Sequence, residues 1–122
     1  MTVLITGDMS FSYDVNGLSS TYLSPRFKII VMCNGGGGIF RFIKPTSDLP
    51  ELETCFEIHR DISVEKYADL FGLRYFELND EKSAAEVLSL FFAEKDRPAI
   101  LAVHTPNVYN AEVLRGYFRR SR

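Results

Sequence analysis

Hydrophobic positions along this chain follow two different periods. Thr2–Thr6, Phe27–Met32, Leu73–Leu78 and Pro98–His104 are short, nearly continuous apolar runs, the pattern of strands buried on both faces. Four longer segments repeat their apolar residues at helical spacing. Met9–Ser19 puts Phe11, Val15 and Leu18 on one face, and the next does the same with Val64, Tyr67, Ala68 and Phe71. A third carries Val87, Leu88, Phe91 and Phe92, and the last Val108, Ala111, Leu114 and Phe118. Ser63 is the expected N-cap of the second helix and Gly72 its stop, while Ser83-Ala84-Ala85-Glu86 has capping-box spacing ahead of the third. Ile39–Ile43 is apolar but of undefined type. Residues 44–61, interrupted by Pro45 and Pro50, show no period and are expected to form a functional or mobile loop.

The order β-α-β-(loop)-α-β-α-β-α predicts an α/β fold of three layers, α/β/α, around a mainly parallel sheet. The first apolar strand begins at Thr2 with nothing before it to cover it. The chain is therefore expected to be a piece of something longer, or to borrow cover from a partner.

At 122 residues the expectation is one domain with one core. A net charge of −2 argues against nucleic acid as a partner, since a basic patch dominates such affinity. No apolar run approaches the roughly 18 residues that span a bilayer, and no secretory leader is visible, so a cytoplasmic setting is expected. Cys33 and Cys55 match no paired motif, which suits a reduced compartment. Cys33 ends an apolar run and reads as a small buried hydrophobe rather than a nucleophile. His59 and His104 are isolated in sequence and read as surface or structural residues. Asp48, Glu51, Glu53 and Glu57 read as a solvated loop. Arg115, Arg119, Arg120 and Arg122 read as the basic end of a helix, complementing its dipole.

The specific chemistry lies at two strand ends. Gly7-Asp8 follows Val3-Leu4-Ile5, and Asn34 with Gly35-Gly36-Gly37-Gly38 follows Ile29-Ile30-Val31-Met32-Cys33. Ligands of open α/β sheets sit beyond the carboxyl ends of the strands. Mg²⁺ takes oxygen ligands and shares itself among a few protein oxygens, phosphates and water. The Asp8 carboxylate, the Asn34 side-chain carbonyl and a backbone carbonyl of the glycine run would supply three ligands. Glycine lets backbone approach a ligand closely, and the helix opening near Met9-Ser10 would turn N–H groups toward a diphosphate. Neither GxGxxG with its ribose-binding acid nor GxxxxGK[ST] is present. Gly7-Asp8 alone is a common pair; its coupling to the second turn is what points to a metal.

That coupling resembles the thiamine-diphosphate motif, which begins with Gly-Asp and ends in an Asn-containing turn. Relatives usually close it with two asparagines, and Cys33 stands where the first would be. Gly7-Asp8-Met9-Ser10-Phe11, Tyr13-Asp14-Val15-Asn16-Gly17-Leu18 and Asn34-Gly35-Gly36-Gly37-Gly38-Ile39-Phe40 resemble one subgroup, the 2-succinyl-5-enolpyruvyl-6-hydroxy-3-cyclohexene-1-carboxylate synthase family of menaquinone biosynthesis.

The resemblance implies a carboligase that decarboxylates 2-oxoglutarate and adds the resulting carbanion to isochorismate, with thiamine diphosphate and Mg²⁺ or Mn²⁺ as cofactors. Residues 1–122 would be the C-terminal part of the diphosphate-binding domain of a homo-oligomer. Asp8, Asn34 and the Gly36 carbonyl would be the metal ligands. Gly7, Met9 and Ser10 would meet the diphosphate, and Ile39 and Phe40, with a weaker case for Ile43, would line the cofactor and substrate pocket. The family's activating glutamate comes from the N-terminal domain of a second subunit, and its substrate-binding arginines lie upstream. No catalytic residue is therefore assigned in this chain, and alone it is expected to be inactive. Gly35, where relatives often carry a side chain, is expected to loosen the turn. Two other readings fit the pattern: another thiamine-diphosphate 2-oxo-acid decarboxylase or acetolactate-synthase-like enzyme, and a non-enzymatic α/β binding module.

Overall fold

The computed structural model describes residues 1–57, 59–60 and 62–120. They pack as two compact units, one from Met1–Cys33 and Ile62–His104, the other from the described residues of Asn34–Asp61 and Thr105–Arg122.

The first unit holds a four-stranded sheet in the order β1-β2-β4-β3, with β1 Thr2–Gly7, β2 Phe27–Cys33, β3 Arg74–Leu78 and β4 Ala99–His104. Every pairing is parallel, with Leu4 opposite Ile29, Ile29 opposite Ile100 and Tyr75 opposite Ile100. Alternate residues therefore line two cores. On one face Ile29, Val31, Ile100 and Ala102 meet Phe11 of α1 (Asp8–Asp14) and Val64 and Ala68 of α3 (Val64–Phe71). On the other, Ala99 and Leu101 meet Phe91 of α4 (Ala84–Ala93), with Val87 and Leu88 beside it. This is the three-layer α/β/α arrangement the alternation predicts. Burying each such aliphatic or aromatic side chain contributes about 1.5–3 kcal/mol.

The predicted cap at Ser63 forms, its hydroxyl accepting the Lys66 N–H at 3.4 Å, and Gly72 ends α3 at φ 68°. The capping box at Ser83 does not form. Ser83 already has helical backbone and makes no cap bond; Asp80 instead accepts the N–H groups of Lys82 and Ser83 at 2.8 and 3.1 Å. A 3-10 turn, Glu81–Ser83, precedes α4 and moves the cap upstream. The first predicted helix divides into α1 and a 3-10 turn, Val15–Ser19, where Asn16 and Gly17 are poor α-formers. Phe11, Val15 and Leu18 still face one core.

Lys28 is the exception among the inward residues of β2. It is buried, and its ammonium donates to the Glu94 carbonyl at 2.7 Å. Burial lowers its pKa, against the pull of the Glu94 carboxylate. Strand β1 is the least covered: Val3, Leu4 and Ile5 are 40%, 44% and 66% exposed, in keeping with the bare start noted in the sequence.

The second unit contains α2 (Ile39–Phe42) and α5 (Asn107–Arg120). The segment expected to be an irregular loop is structured where described, with a 3-10 turn at Thr46–Asp48 and a π-helix at Leu52–Glu57; Ile58 and Asp61 lie outside the described residues. Phe42 stacks on Phe118 at 5.9 Å, and Leu52 and Ala111 are buried. Val108, Leu114 and Phe118 are exposed, so of the predicted apolar face of α5 only Ala111 is covered.

Candidate functional site

Gly7, Asp8, Met9 and Ser10 belong to the first unit. Gly7 pairs with Met32 across the parallel β1–β2 ladder, so Asp8 and Cys33 leave the sheet at the same carboxyl edge. Gly7 is extended, and Asp8 opens α1. The Asp8 side chain is turned inward: the residue is 3% exposed, and its Oδ1 accepts the Met9 N–H at 2.8 Å. Met9 is half-buried and Ser10 exposed.

Cys33 responds to this edge. Burial foremost, and then the Asp8 carboxylate, push its thiol up to about 11. The thiol therefore keeps its proton at neutral pH, packs against the first core and donates weakly to the Val31 carbonyl at 3.6 Å. It is the small, half-buried hydrophobe its position suggested, poorly suited to act as a nucleophile.

The same edge holds a polar group not anticipated in the sequence. The Glu77 Oε1 accepts the Tyr75 hydroxyl at 3.2 Å and lies 3.1 Å from His104 Nε2. Desolvation, reinforced by Glu77, raises the Tyr75 phenol. His104 is thus paired, contrary to its isolation in sequence. Its partner lies one strand away, and only the register of β3 on β4 brings them together.

Asn34, Gly36, Ile39 and Phe40 belong to the second unit. The Asn34 side-chain oxygen accepts the Gly36 N–H at 3.4 Å. Gly35 and Gly36 take φ values of 81° and 155°, a region that favours glycine. The turn is pinned rather than loosened. The Gly35 carbonyl accepts the Arg60 N–H at 3.0 Å, Gly37 N–H donates to the Glu57 carbonyl at 2.8 Å, and Gly38 N–H to the Gly36 carbonyl at 2.9 Å. A Cβ at Gly35 would run into the His59 imidazole, and one at Gly37 would sit 2.8 Å from the Phe56 carbonyl oxygen. His59, exposed and set against Gly35, is the surface or structural residue expected.

Ile39 and Phe40 open α2. Ile39 is 60% exposed, while Phe40 is half-buried against Phe56 at 5.5 Å; Ile43, just past the helix, is exposed. Arg41 points to Glu57 and Glu53; Glu53 stays solvated as expected, whereas Glu57 is a buried ion-pair partner rather than a solvated charge. Sixteen residues separate Arg41 from Glu57, a distance no local periodicity reports.

A carboxylate, a side-chain amide oxygen and a backbone carbonyl are the hard oxygen types that suit Mg²⁺ or Mn²⁺, so Asp8, Asn34 and Gly36 are of a kind that could supply ligands to such an ion. Among the described residues no group of three or more His, Cys, Asp or Glu side chains is arranged to hold a metal. The proposed set needs no such group, having a single carboxylate.

An all-parallel sheet with helices on both faces, carrying an acid and a glycine turn after adjacent strands, is that of a partial thiamine-diphosphate-binding fold. No protein-family model matches the chain. Curated relatives do. It is 49% identical over 117 residues to a 2-succinyl-5-enolpyruvyl-6-hydroxy-3-cyclohexene-1-carboxylate synthase of Porphyromonas gingivalis, covering 96% of this chain and 20% of that protein. Proteins of the same name from Flavobacterium johnsoniae and Christiangramia forsetii are 40% and 36% identical, over 96% and 94% of this chain and 21% and 20% of their own lengths. Over this stretch the chain belongs to that synthase family, and it spans about a fifth of the length of these relatives. Among the described residues no helix is long and apolar enough to cross a membrane.

Proposed function

We propose that this chain is the diphosphate-holding part of a cytoplasmic, homo-oligomeric carboligase of menaquinone biosynthesis, which decarboxylates 2-oxoglutarate and joins the remainder to isochorismate. The observation that carries the reading is 49% identity over 96% of the chain to a synthase of that name, with Gly7-Asp8 and Asn34–Gly38 standing at the ends of the two apolar strands.

In this reading Asp8, the Asn34 amide oxygen and the Gly36 carbonyl would hold Mg²⁺, and Gly7, Met9 and Ser10 would meet the diphosphate. An acidic chain can hold so anionic a group because the cation and backbone N–H groups supply the positive charge. When bound, thiamine diphosphate supplies the chemistry that lets a 2-oxo acid lose carbon dioxide and add to an acceptor. Ile39 offers an exposed apolar side chain for the organic part of the cofactor and substrate, and Phe40 stiffens its base through Phe56. Residues from outside this chain, including a second subunit, complete the pocket and perform proton transfer.

Calorimetric titration of the intact protein with thiamine diphosphate tests this, with and without Mg²⁺. Asp8→Ala is expected to lose about ten- to a hundredfold in metal-dependent affinity, the range for disrupting a metal site's supporting groups. An unchanged titration removes Asp8 from the ligand set. The 122-residue chain alone is expected to form no product from the two substrates.

A further inference from the structure

The second unit carries a cavity of about 590 Å³ lined by Phe42, Lys44, Arg115, Phe118 and Arg119, none of them in the proposed cofactor set. Its size falls within the range of small-molecule pockets, about 300–1,000 Å³. Phe42 and Phe118, with ring centroids 5.9 Å apart and planes 39° from parallel, form an apolar wall. Arg115 is held in place, its guanidinium donating to the Arg41 carbonyl. Arg119 lies one turn further along the same face of α5, and Lys44 lies just past α2.

Three cations thus share one lining that among the described residues includes no acid, in a chain whose net charge is −2. The acids Glu53 and Glu57 are engaged by Arg41. The dipole of α5 does not account for Arg115, which stands more than a turn before Arg120, where the dipole effect has faded. Like charges gathered against an apolar wall repel one another, and an anion would relieve that repulsion. Guanidinium groups match the planar geometry of a carboxylate.

We propose that this cavity binds a small organic anion with a flat apolar body. The carboxylate is taken by Arg115, Arg119 and Lys44, and the body lies on Phe42 and Phe118. The site is separate from the residues proposed to hold the cofactor, and the inference stands without that reading.

Cinnamate serves as the probe and cinnamamide as its neutral counterpart, both titrated into the protein by calorimetry and followed by saturation-transfer NMR. Cinnamate should bind at least tenfold more tightly than cinnamamide and weaken as salt rises. Lys44→Ala and Arg119→Ala, both at exposed positions, should each weaken cinnamate at least fivefold while leaving cinnamamide unchanged. Equal affinity for acid and amide would reduce the cavity to an apolar surface and overturn the proposal. So would unaltered cinnamate binding in both variants, or no binding of cinnamate at millimolar concentration.

Discussion

The Arg41 guanidinium clasps the Glu57 carboxylate with two hydrogen bonds, Nε to Oε1 at 2.7 Å and Nη2 to Oε2 at 2.6 Å. Glu57 is 8% exposed at its side chain, and its own backbone carbonyl receives the Gly37 N–H. One residue therefore fastens α2 through its side chain and the glycine turn through its backbone. The Glu57 hydrogen bond, with that of Glu53, raises the already high pKa of Arg41 further, so the pair does not depend on arginine titration.

Removing Glu57 leaves Arg41, among the described residues, only the exposed Glu53 as a carboxylate partner. Glu57→Ala should destabilise the chain by about 2–3 kcal/mol in urea unfolding, below the 3–5 of a fully buried pair because Arg41 is partly solvated. Glu53→Ala, whose carboxylate is exposed, should cost less than about 1 kcal/mol. Equal losses would show that the buried bond is not the stronger one.

The two thiols should differ in reactivity. Cys55 is exposed, whereas burial and Asp8 hold Cys33 protonated to about pH 11. At pH 8 a disulfide reagent should label Cys55 rapidly and Cys33 at least tenfold more slowly, since thiolate is the reacting form. Equal rates would contradict the sheltered, half-buried position of Cys33.

Helix α4 should depend on Asp80 and not on Glu86. The Ser83 backbone N–H, and then its hydroxyl, hold the Asp80 carboxyl below its ordinary range. A lowered folded-state pKa means that the stabilisation is present above the unfolded-state value and is lost as pH falls through the folded one. Asp80→Ala should lower the urea midpoint at neutral pH, and the difference from wild type should vanish in strong acid. Glu86→Gln should leave the midpoint unchanged; a clear loss there would restore the capping box.

The glycine turn should resist substitution at two positions for different reasons. Gly37→Ala places a methyl against the Phe56 carbonyl and should cost about 1–3 kcal/mol, the usual price of overpacking. Gly35→Ala meets both the His59 ring and a positive φ. His59→Ala in that background should restore the steric part and leave the backbone cost of about 1 kcal/mol. Full restoration would mean that the positive φ carries no penalty.

What the sequence discloses here follows from how local each signal is. Ile29, Val31 and Ala99–Ala102 are buried and Ile30 partly so, so their runs are continuously apolar and read directly as central strands. Ser63 and Gly72 act within one turn of themselves, and both are legible. Asp80 is a cap of the same local kind, but Ser83 offers an equally good pattern three residues on, and the choice between them falls to the 3-10 turn. The positions of Asp8 and Asn34 after strand ends could be read because each follows an apolar run. The closing of Gly35 by His59, the clasp on Glu57 and the meeting of His104 with Glu77 join residues from different segments, and nothing in either neighbourhood marks them.

The scantily covered first strand has a practical outcome. Among the described residues β1 pairs with β2 alone, and Val3, Leu4 and Ile5 stand open to solvent. Such a border, oily and with one row of backbone groups left without a neighbouring strand, is where protein molecules add to one another. Concentrated solutions of the chain should thicken into assemblies by this route, and Ile5→Lys should raise the concentration at which light scattering begins.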